Sequence, residues 1–390
     1  MDLYHHSSSP FTQWITANDL LHEDFVVIDI GCQGGAHPRW VFLRDRLVFH
    51  GFDPIREVIE ALTRQNVPGR TYHECALGAE DGEGEFYVNN DAFSSSFFGP
   101  RMGSELYGSP DIKRGARTVT IRQLDTLFAA GELPPADYIK LDCEGYEPEV
   151  LRGARQYLRS SGPICVTSES AFNVGPTYPH SHFQAVNEIL AEHRLLVFDL
   201  NIVRSARPAY RSALAAHPWA EPDPLNGEVP HLDVGAPGTI DVVFCRDLVA
   251  EVNEPGQYGF LGVPPGRPSV DQLIKAMINF ELHGLMDCAY EIATQFRPLL
   301  ETRLDVEKAM RVLLTRAPHA RNTADVVNCL TMIAKLKEQV SSSRSVSTGS
   351  YVESQQPSPD HRRPIANYRG WELARELGHR ILRRLGVERP

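Results

Sequence analysis

The feature that most narrows the fold of this chain is an alternation across its first 250 residues, where short β-rich apolar runs are separated by longer amphipathic stretches. Parallel strands need a crossover between neighbours, usually a helix, so this rhythm points to a mostly parallel sheet covered by helices on both faces. Seven runs have the length and the β-branched or aromatic content of strands: Phe25 to Ile30, Leu47 to Phe52, Thr71 to Ala76, Asp137 to Leu141, Ile164 to Ser168, Leu195 to Leu200 and Ile240 to Cys245. Residues 81–120 interrupt the rhythm with Gly82, Gly84 and a serine run, and read as a loop or flap containing one strand, Glu85 to Val88. A Pro-rich stretch, 207–237, is expected to cover the same edge of the sheet.

The expected organisation is a catalytic domain over 1–250, a Pro- and Gly-rich linker over 251–268 and a small helical module over 269–340. Ser269 can cap a helix with Val270, Leu273, Ile274, Met277 and Ile278 on one face. Leu300, Leu304, Met310, Leu313 and Leu314 suggest a second helix, and Val326, Val327, Leu330, Ile333 and Leu336 a third. Residues 341–364, dominated by Ser, Gln and Pro, carry too little apolar surface to fold alone. Over 365–390 a basic amphipathic helix is expected, with Trp371, Leu377, Ile381 and Leu385 opposite Arg375, Arg380 and Arg384. Docking on the chain itself or on a protein partner is its first reading, and peripheral membrane contact its second.

The formal charge of −11 argues against a nucleic-acid partner, because neutralising phosphates takes clustered Lys and Arg. Seven cysteines are scattered without a CxxC pair or metal-ligand spacing. With no run of about 18 apolar residues and no signal-like start, a soluble cytoplasmic protein with free thiols is expected.

Chemistry enters where the first strand runs into Asp29-Ile-Gly31-Cys-Gln-Gly-Gly35. A glycine turn at the carboxyl end of a central strand lets backbone approach a ligand, and that crevice is where open α/β sheets bind cofactors. A dinucleotide fingerprint starting at Gly31 needs glycines at 33 and 36, where the chain has Gln33 and Ala36. Asp29 suits the cationic amino-acid part of S-adenosyl-L-methionine instead, and the second strand ends in Asp53-Pro54, a carboxylate where ribose hydroxyls would lie.

The stretch Asp137 to Ala154 then crowds Asp142, Glu144 and Glu147 at a strand end, just before Pro148 opens a helix. Crowded carboxylates raise one another's pKa, which suits general-base or metal chemistry, although acidic residues also cap helix N-termini. Asp142 is expected at the junction of cofactor and substrate, with Glu144 a candidate base and Lys140 pairing with a nearby carboxylate. Glu169, at the end of the following strand, is expected to face the same cavity. His180 and His182 form a rival base or ligand pair. No spacing demands a metal.

Taken together, Asp29-Ile-Gly31-Cys-Gln-Gly-Gly35, Phe52-Asp53-Pro54, Cys75-Ala-Leu-Gly78, the serine-rich segment, Leu124-Asp125 and Ile139-Lys-Leu-Asp-Cys-Glu-Gly-Tyr-Glu147 with Leu151-Arg-Gly-Ala154 resemble the FkbM family of methyltransferases. The resemblance spans about Val26 to Arg246; Cys32 and Gln33 replace the family's usual Ala and Asn, and Asp53 its usual Glu. It implies a Rossmann-like class I methyltransferase using S-adenosyl-L-methionine, with Ala76 beside the cofactor and Ser95 toward substrate. It also implies O-methylation of a small-molecule or glycan acceptor, on a sugar or secondary-metabolite hydroxyl. Two other classes compete: a nicotinamide-dependent oxidoreductase, opposed by the broken glycine fingerprint, and a non-catalytic interaction module, opposed by the joint presence of Asp29, Asp53, Asp142 and Glu144.

Overall fold

A computed structural model describes residues 9–89, 95–98, 113–172, 183–205, 236–254 and 267–314. The chain divides into Met1–Asn322 and Thr323–Pro390, and the second unit lies wholly outside the described residues. The expected helix at 326–336, the Ser/Gln/Pro segment and the final basic helix therefore fall outside them, as do residues 206–235.

In chain order the strands are β1 (Phe25–Ile30), β2 (Leu47–Asp53), β3 (Arg70–Glu74), β4 (Ala76–Leu77), β5 (Gly82–Asn89), β6 (Lys113–Arg122), β7 (Tyr138–Leu141), β8 (Cys165–Ala171), β9 (Leu195–Ser205) and β10 (Ala236–Arg246). Seven of them build one sheet in the order β3-β2-β1-β7-β8-β10-β9. Pairing is parallel from β3 through β8, while β10 runs antiparallel to both β8 and β9. The strand order reverses between β1 and β7, and such a reversal opens a crevice beyond the carboxyl ends of those two strands. The expected α/β class and seven-stranded, mostly parallel sheet are both present.

Residues 81–120 depart from expectation. Instead of a loop with one strand, β5 pairs antiparallel with β6, and β6 pairs with β4, in a separate three-stranded sheet. The missed signal is the alternation Thr118-Val119-Thr120-Ile121, which puts Val119 and Ile121 on one face against Phe86 and Val88. The run expected to end at Ala76 also divides at Cys75, because Ala76 and Leu77 leave the main sheet to join this second one.

Successive residues of a strand point to opposite faces, and the two main cores follow that alternation. Ile28, Ile30, Ile139, Leu141 and Val166 enter one core with Leu124, Val150, Tyr157 and Val186. Val27, Phe49, Cys165 and Val243 enter the other with α1 (Pro10–Ala17) and with the helices that follow residue 268. One of these, Val270–Leu282, is buried along nearly its whole length and starts with a capping box in which Ser269 Oγ accepts from Gln272 N and Gln272 Oε1 from Ser269 N. A helix at Met286–Gln295 follows, and the apolar series from Leu300 onward occupies two helices, Arg297–Leu300 and Val306–Leu314, rather than one. Asp305 Oδ1 accepts from Lys308 N, a side-chain cap that starts the second of these anew.

Candidate active site

The reversal point is closed by two backbone bends. After β1 the chain turns at Gly31, whose φ is +81°, and a Cβ placed there would lie 1.8 Å from the Asp142 carbonyl oxygen. Only glycine fits. Gly31 N and Cys32 N both donate to Phe52 O, at 3.0 and 3.1 Å, and Asp142 N donates to Ile30 O at 3.1 Å, so the turn is tied to β2 on one side and to the end of β7 on the other.

The second bend follows β7. Glu144 sits at φ +54° and Gly145 at +105°, and a non-glycine residue in the left-handed region is strain that its surroundings must hold. Glu147, 1% exposed, supplies the hold: its Oε1 accepts from Cys143 N at 2.9 Å and from Gly145 N at 3.2 Å. Ser96 Oγ donates to Glu144 O at 2.8 Å, joining the second sheet to the bend. Glu147 thus does the backbone capping that acidic residues near helix starts commonly do.

The resulting cavity is lined by Gly31, Asp53, Pro54, Ala76, Ser95, Asp142, Glu144 and Glu169 among the expected residues. Four of these are carboxyl-bearing, and among the described residues no Lys, Arg or His lines the cavity. Asp142, Glu144 and Glu169 offer oxygens that all lie within 4.8 Å of one another. Ser95 Oγ accepts from Asn89 N at 3.1 Å, so this hydroxyl also fixes the local loop.

Three expected residues sit beside or beneath the lining. Asp29 is buried, and its Oδ1 lies 3.2 Å from Lys140 Nζ. Lys140 Nζ also lies 3.3 Å from Asp142 Oδ2 and donates to Gly31 O at 3.1 Å, one ammonium tying both strand ends to the turn. Gly35, at φ +74°, packs toward Leu62 and supports the turn from behind. His180 and His182 lie outside the described residues.

Burial pushes Asp53 up to about 6, although Oδ1 accepts from Ile55 N at 2.8 Å. Burial likewise raises Asp29, against the pull of Lys140. Burial works against ionisation of Asp142 too, yet Lys140 holds it below the usual carboxylate range. Glu169 goes the other way: burial first, then repulsion from Asp142 and Glu144, pushes it well above its ordinary value. Burial opposes the Lys140 charge as well, but Asp142 and Asp29 outweigh it and keep the ammonium protonated.

Aromatic walls were not foreseen. Phe86, Phe97 and Tyr146 line the cavity, with Phe97 and Tyr146 ring centroids 4.3 Å apart and Phe86 edge-on to Phe97 at 5.2 Å. Phe97-Phe98 directly after three serines was the available signal. Other motif residues prove architectural. A Cβ at Gly153 would meet Gly78 O at 2.0 Å, and Asp125 accepts from Tyr157 N at 2.7 Å and Gln156 N at 3.1 Å.

Residues 38–195 match the family model described as the Methyltransferase FkbM domain. The glycine turn lies just ahead of the matched segment. No curated protein matches it in sequence. Among solved structures it is similar to the methyltransferase FkbM from Methylobacillus flagellatus, with 15% identity and TM-score 0.29 over 61% of this chain and 49% of that one. This chain therefore spans about half the length of that relative. It is also similar to precorrin-6y C5,15-methyltransferase from Geobacter metallireducens, with 12% identity and TM-score 0.28 over 60% and 84% of the two chains. A third is the 1,6-didemethyltoxoflavin-N1-methyltransferase from Burkholderia thailandensis, solved with 1,6-didemethyltoxoflavin and S-adenosylhomocysteine, with 12% identity and TM-score 0.27 over 62% and 79%.

Proposed function

We propose that this protein is an S-adenosyl-L-methionine-dependent methyltransferase acting on a hydroxyl oxygen of a sugar, glycan or secondary metabolite. One observation carries the cofactor reading: the cavity at the strand-order reversal is lined by four carboxyl-bearing residues and by no described cation, so a positively charged ligand is the one its field favours. Gly31 is part of that lining, and its bend is open to glycine alone because any side chain there would strike Asp142 O. A dinucleotide's pyrophosphate would meet the same carboxylates unfavourably, which weighs against the nicotinamide reading.

In this reading Gly31, Asp53 and Asp142 hold the donor, with Pro54 and Ala76 against its flat parts. When bound, the donor supplies an electrophilic methyl group on a cationic sulfur. The chain's own part is alignment and proton handling. Phe97 and Tyr146 make an apolar wall that excludes water from the nucleophile, Lys140 fixes Asp142, and Glu144 and Glu169 are the carboxyl groups able to take the hydroxyl proton. The family match supports methyl transfer, and the resemblance supports oxygen as the acceptor atom.

The test has two arms. Thermal shifts should show stabilisation by S-adenosylmethionine and none by NAD, and incubation with isotopically labelled methyl donor should label a hydroxyl-bearing glycan or metabolite detected by mass spectrometry. Glu144→Gln should retain donor affinity while lowering turnover by about a hundredfold. Unchanged turnover would remove Glu144 from the chemistry, and failure to bind the donor would end the cofactor reading.

A further inference from the structure

We infer that Asp142 and Glu169 hold one proton between them in the free protein, that Glu169 gives it up to solvent when a sulfonium cation enters the cavity, and that Glu169 thereby becomes a carboxylate able to accept the hydroxyl proton. This inference rests on the cofactor reading above and adds a coupling that the reading does not contain.

The geometry is the starting point. Glu169, on β8, and Asp142, just beyond β7, present carboxyl oxygens within 4.8 Å of one another in the same cavity, and two negative charges that close repel, so one of the pair favours keeping a proton. Glu144 closes the triangle, its oxygen within 4.8 Å of the other two. Every charged neighbour of Glu169 among the described residues bears on the outcome. Asp142 and Glu144 repel a second negative charge from the β7 side, and Asp241, paired with Glu169 across β10, repels it from the other. Among the described residues Lys140 is the nearby cation, and it is shared between Asp29 and Asp142 at 3.2 and 3.3 Å. Lys140 thus makes Asp142 the ionised partner, which leaves Glu169 as the member that keeps the proton. Asp142, Glu144 and Glu169 all line the same cavity.

A positive charge entering that cavity attracts all three carboxyl groups, and the least stable proton leaves. Glu169 then faces the cavity as a carboxylate. When a hydroxyl nucleophile sheds its proton, the O–H bond to the nucleophile breaks, a new O–H bond forms on Glu169, and the pair returns to its one-proton state. Once the ligand's sulfur is a neutral thioether, nothing drives that proton out again. The pair therefore distinguishes donor from spent donor by charge.

The readout is proton release measured by titration calorimetry in buffers of different ionisation enthalpy, using the full chain with S-adenosylmethionine and with S-adenosylhomocysteine. S-adenosylmethionine should release close to one proton more than S-adenosylhomocysteine, since any change at Asp53 is common to both ligands. Affinity for the first ligand should rise more steeply with pH than affinity for the second, by up to about tenfold per pH unit where the α-amino group of both stays protonated. Glu169→Gln should bind both ligands, remove the difference in proton release between them and bring their pH dependences together. If that variant does not fold, the contrast between the two ligands on the unaltered protein decides alone. Equal proton release with both ligands, or a difference between them that survives Glu169→Gln, overturns the inference. Binding of neither ligand overturns the cofactor reading and this inference with it.

Discussion

Buried charge is treated in opposite ways at the mouth of the sheet and under the helices that follow residue 268. In the helical layer each buried ion is surrounded by its complement. Glu281, 1% exposed, accepts from Phe11 N at 2.7 Å, Thr12 N at 2.8 Å and Thr12 Oγ1 at 2.6 Å, so one carboxylate closes the first turn of α1 from 270 residues away. Lys275 lies 3.1 Å from Asp137 and 3.3 Å from Glu23, and Arg246 grips Glu251 through two bonds, at 2.9 and 2.6 Å. At the mouth, among the described residues, Asp29 and Asp142 share one ammonium, Lys140, while Asp53, Glu144 and Glu169 line a cavity with no Lys, Arg or His in its lining. The lesson is that an excess of one sign marks where a ligand of the other sign belongs, whereas balanced burial marks construction.

The contrast is sharpest at Glu281. Glu281→Ala should destabilise the protein by about 3–5 kcal/mol, since it strands the buried donors of α1, and should show as a lower denaturation midpoint in the absence of ligand. A loss of less than about 1 kcal/mol would mean the helical layer does not depend on this carboxylate. Gly31→Ala comes next. The added methyl must displace the Asp142 carbonyl and hold a left-handed φ, so about 2–3 kcal/mol of stability and most donor affinity should be lost together, read by denaturation and calorimetry.

Asp53→Asn should move stability the other way. The folded value of about 6 lies above the ordinary carboxyl value of about 3.9, so the native state holds this proton more tightly than the unfolded chain. The resulting penalty is absent below about pH 4, grows as pH rises toward 6, and is constant above. Removing it should stabilise the ligand-free protein by about 2 kcal/mol at pH 7 and by nothing at pH 4, while weakening donor binding. A variant less stable at pH 7 would erase the distinction between the two regions. The smallest effect is expected at the solvent-exposed pair Arg117–Glu57, 2.8 Å apart, where Arg117→Ala should cost about 0.5 kcal/mol or less.

Much of the architecture could be read without coordinates. β1 spans the residues its apolar run marked out, and Ser269 caps the helix it was expected to cap. These readings succeed because period and capping are local properties. The three-stranded second sheet escaped because β5 and β6 are joined across a long intervening segment, and the glycines in β5 read as a loop. Of the site, Asp53, Asp142, Glu144 and Glu169 were nameable from strand ends, whereas Phe86, Phe97 and Tyr146 were not. An aromatic residue looks the same in sequence whether it fills a core or walls a cavity.

The sequence by itself determined the alternating α/β pattern, the glycine turn after β1 and the acidic bend after β7, since each depends on residues adjacent in the chain. Only the tertiary structure decided how those acids differ. Parallel pairing of β7 with β1 and β8 sets Lys140 between Asp29 and Asp142 and leaves Glu169 beside two like charges. The electrostatic energy of a carboxyl group depends on distances to partners far away in sequence and on the water removed around it, and neither is written in the order of residues.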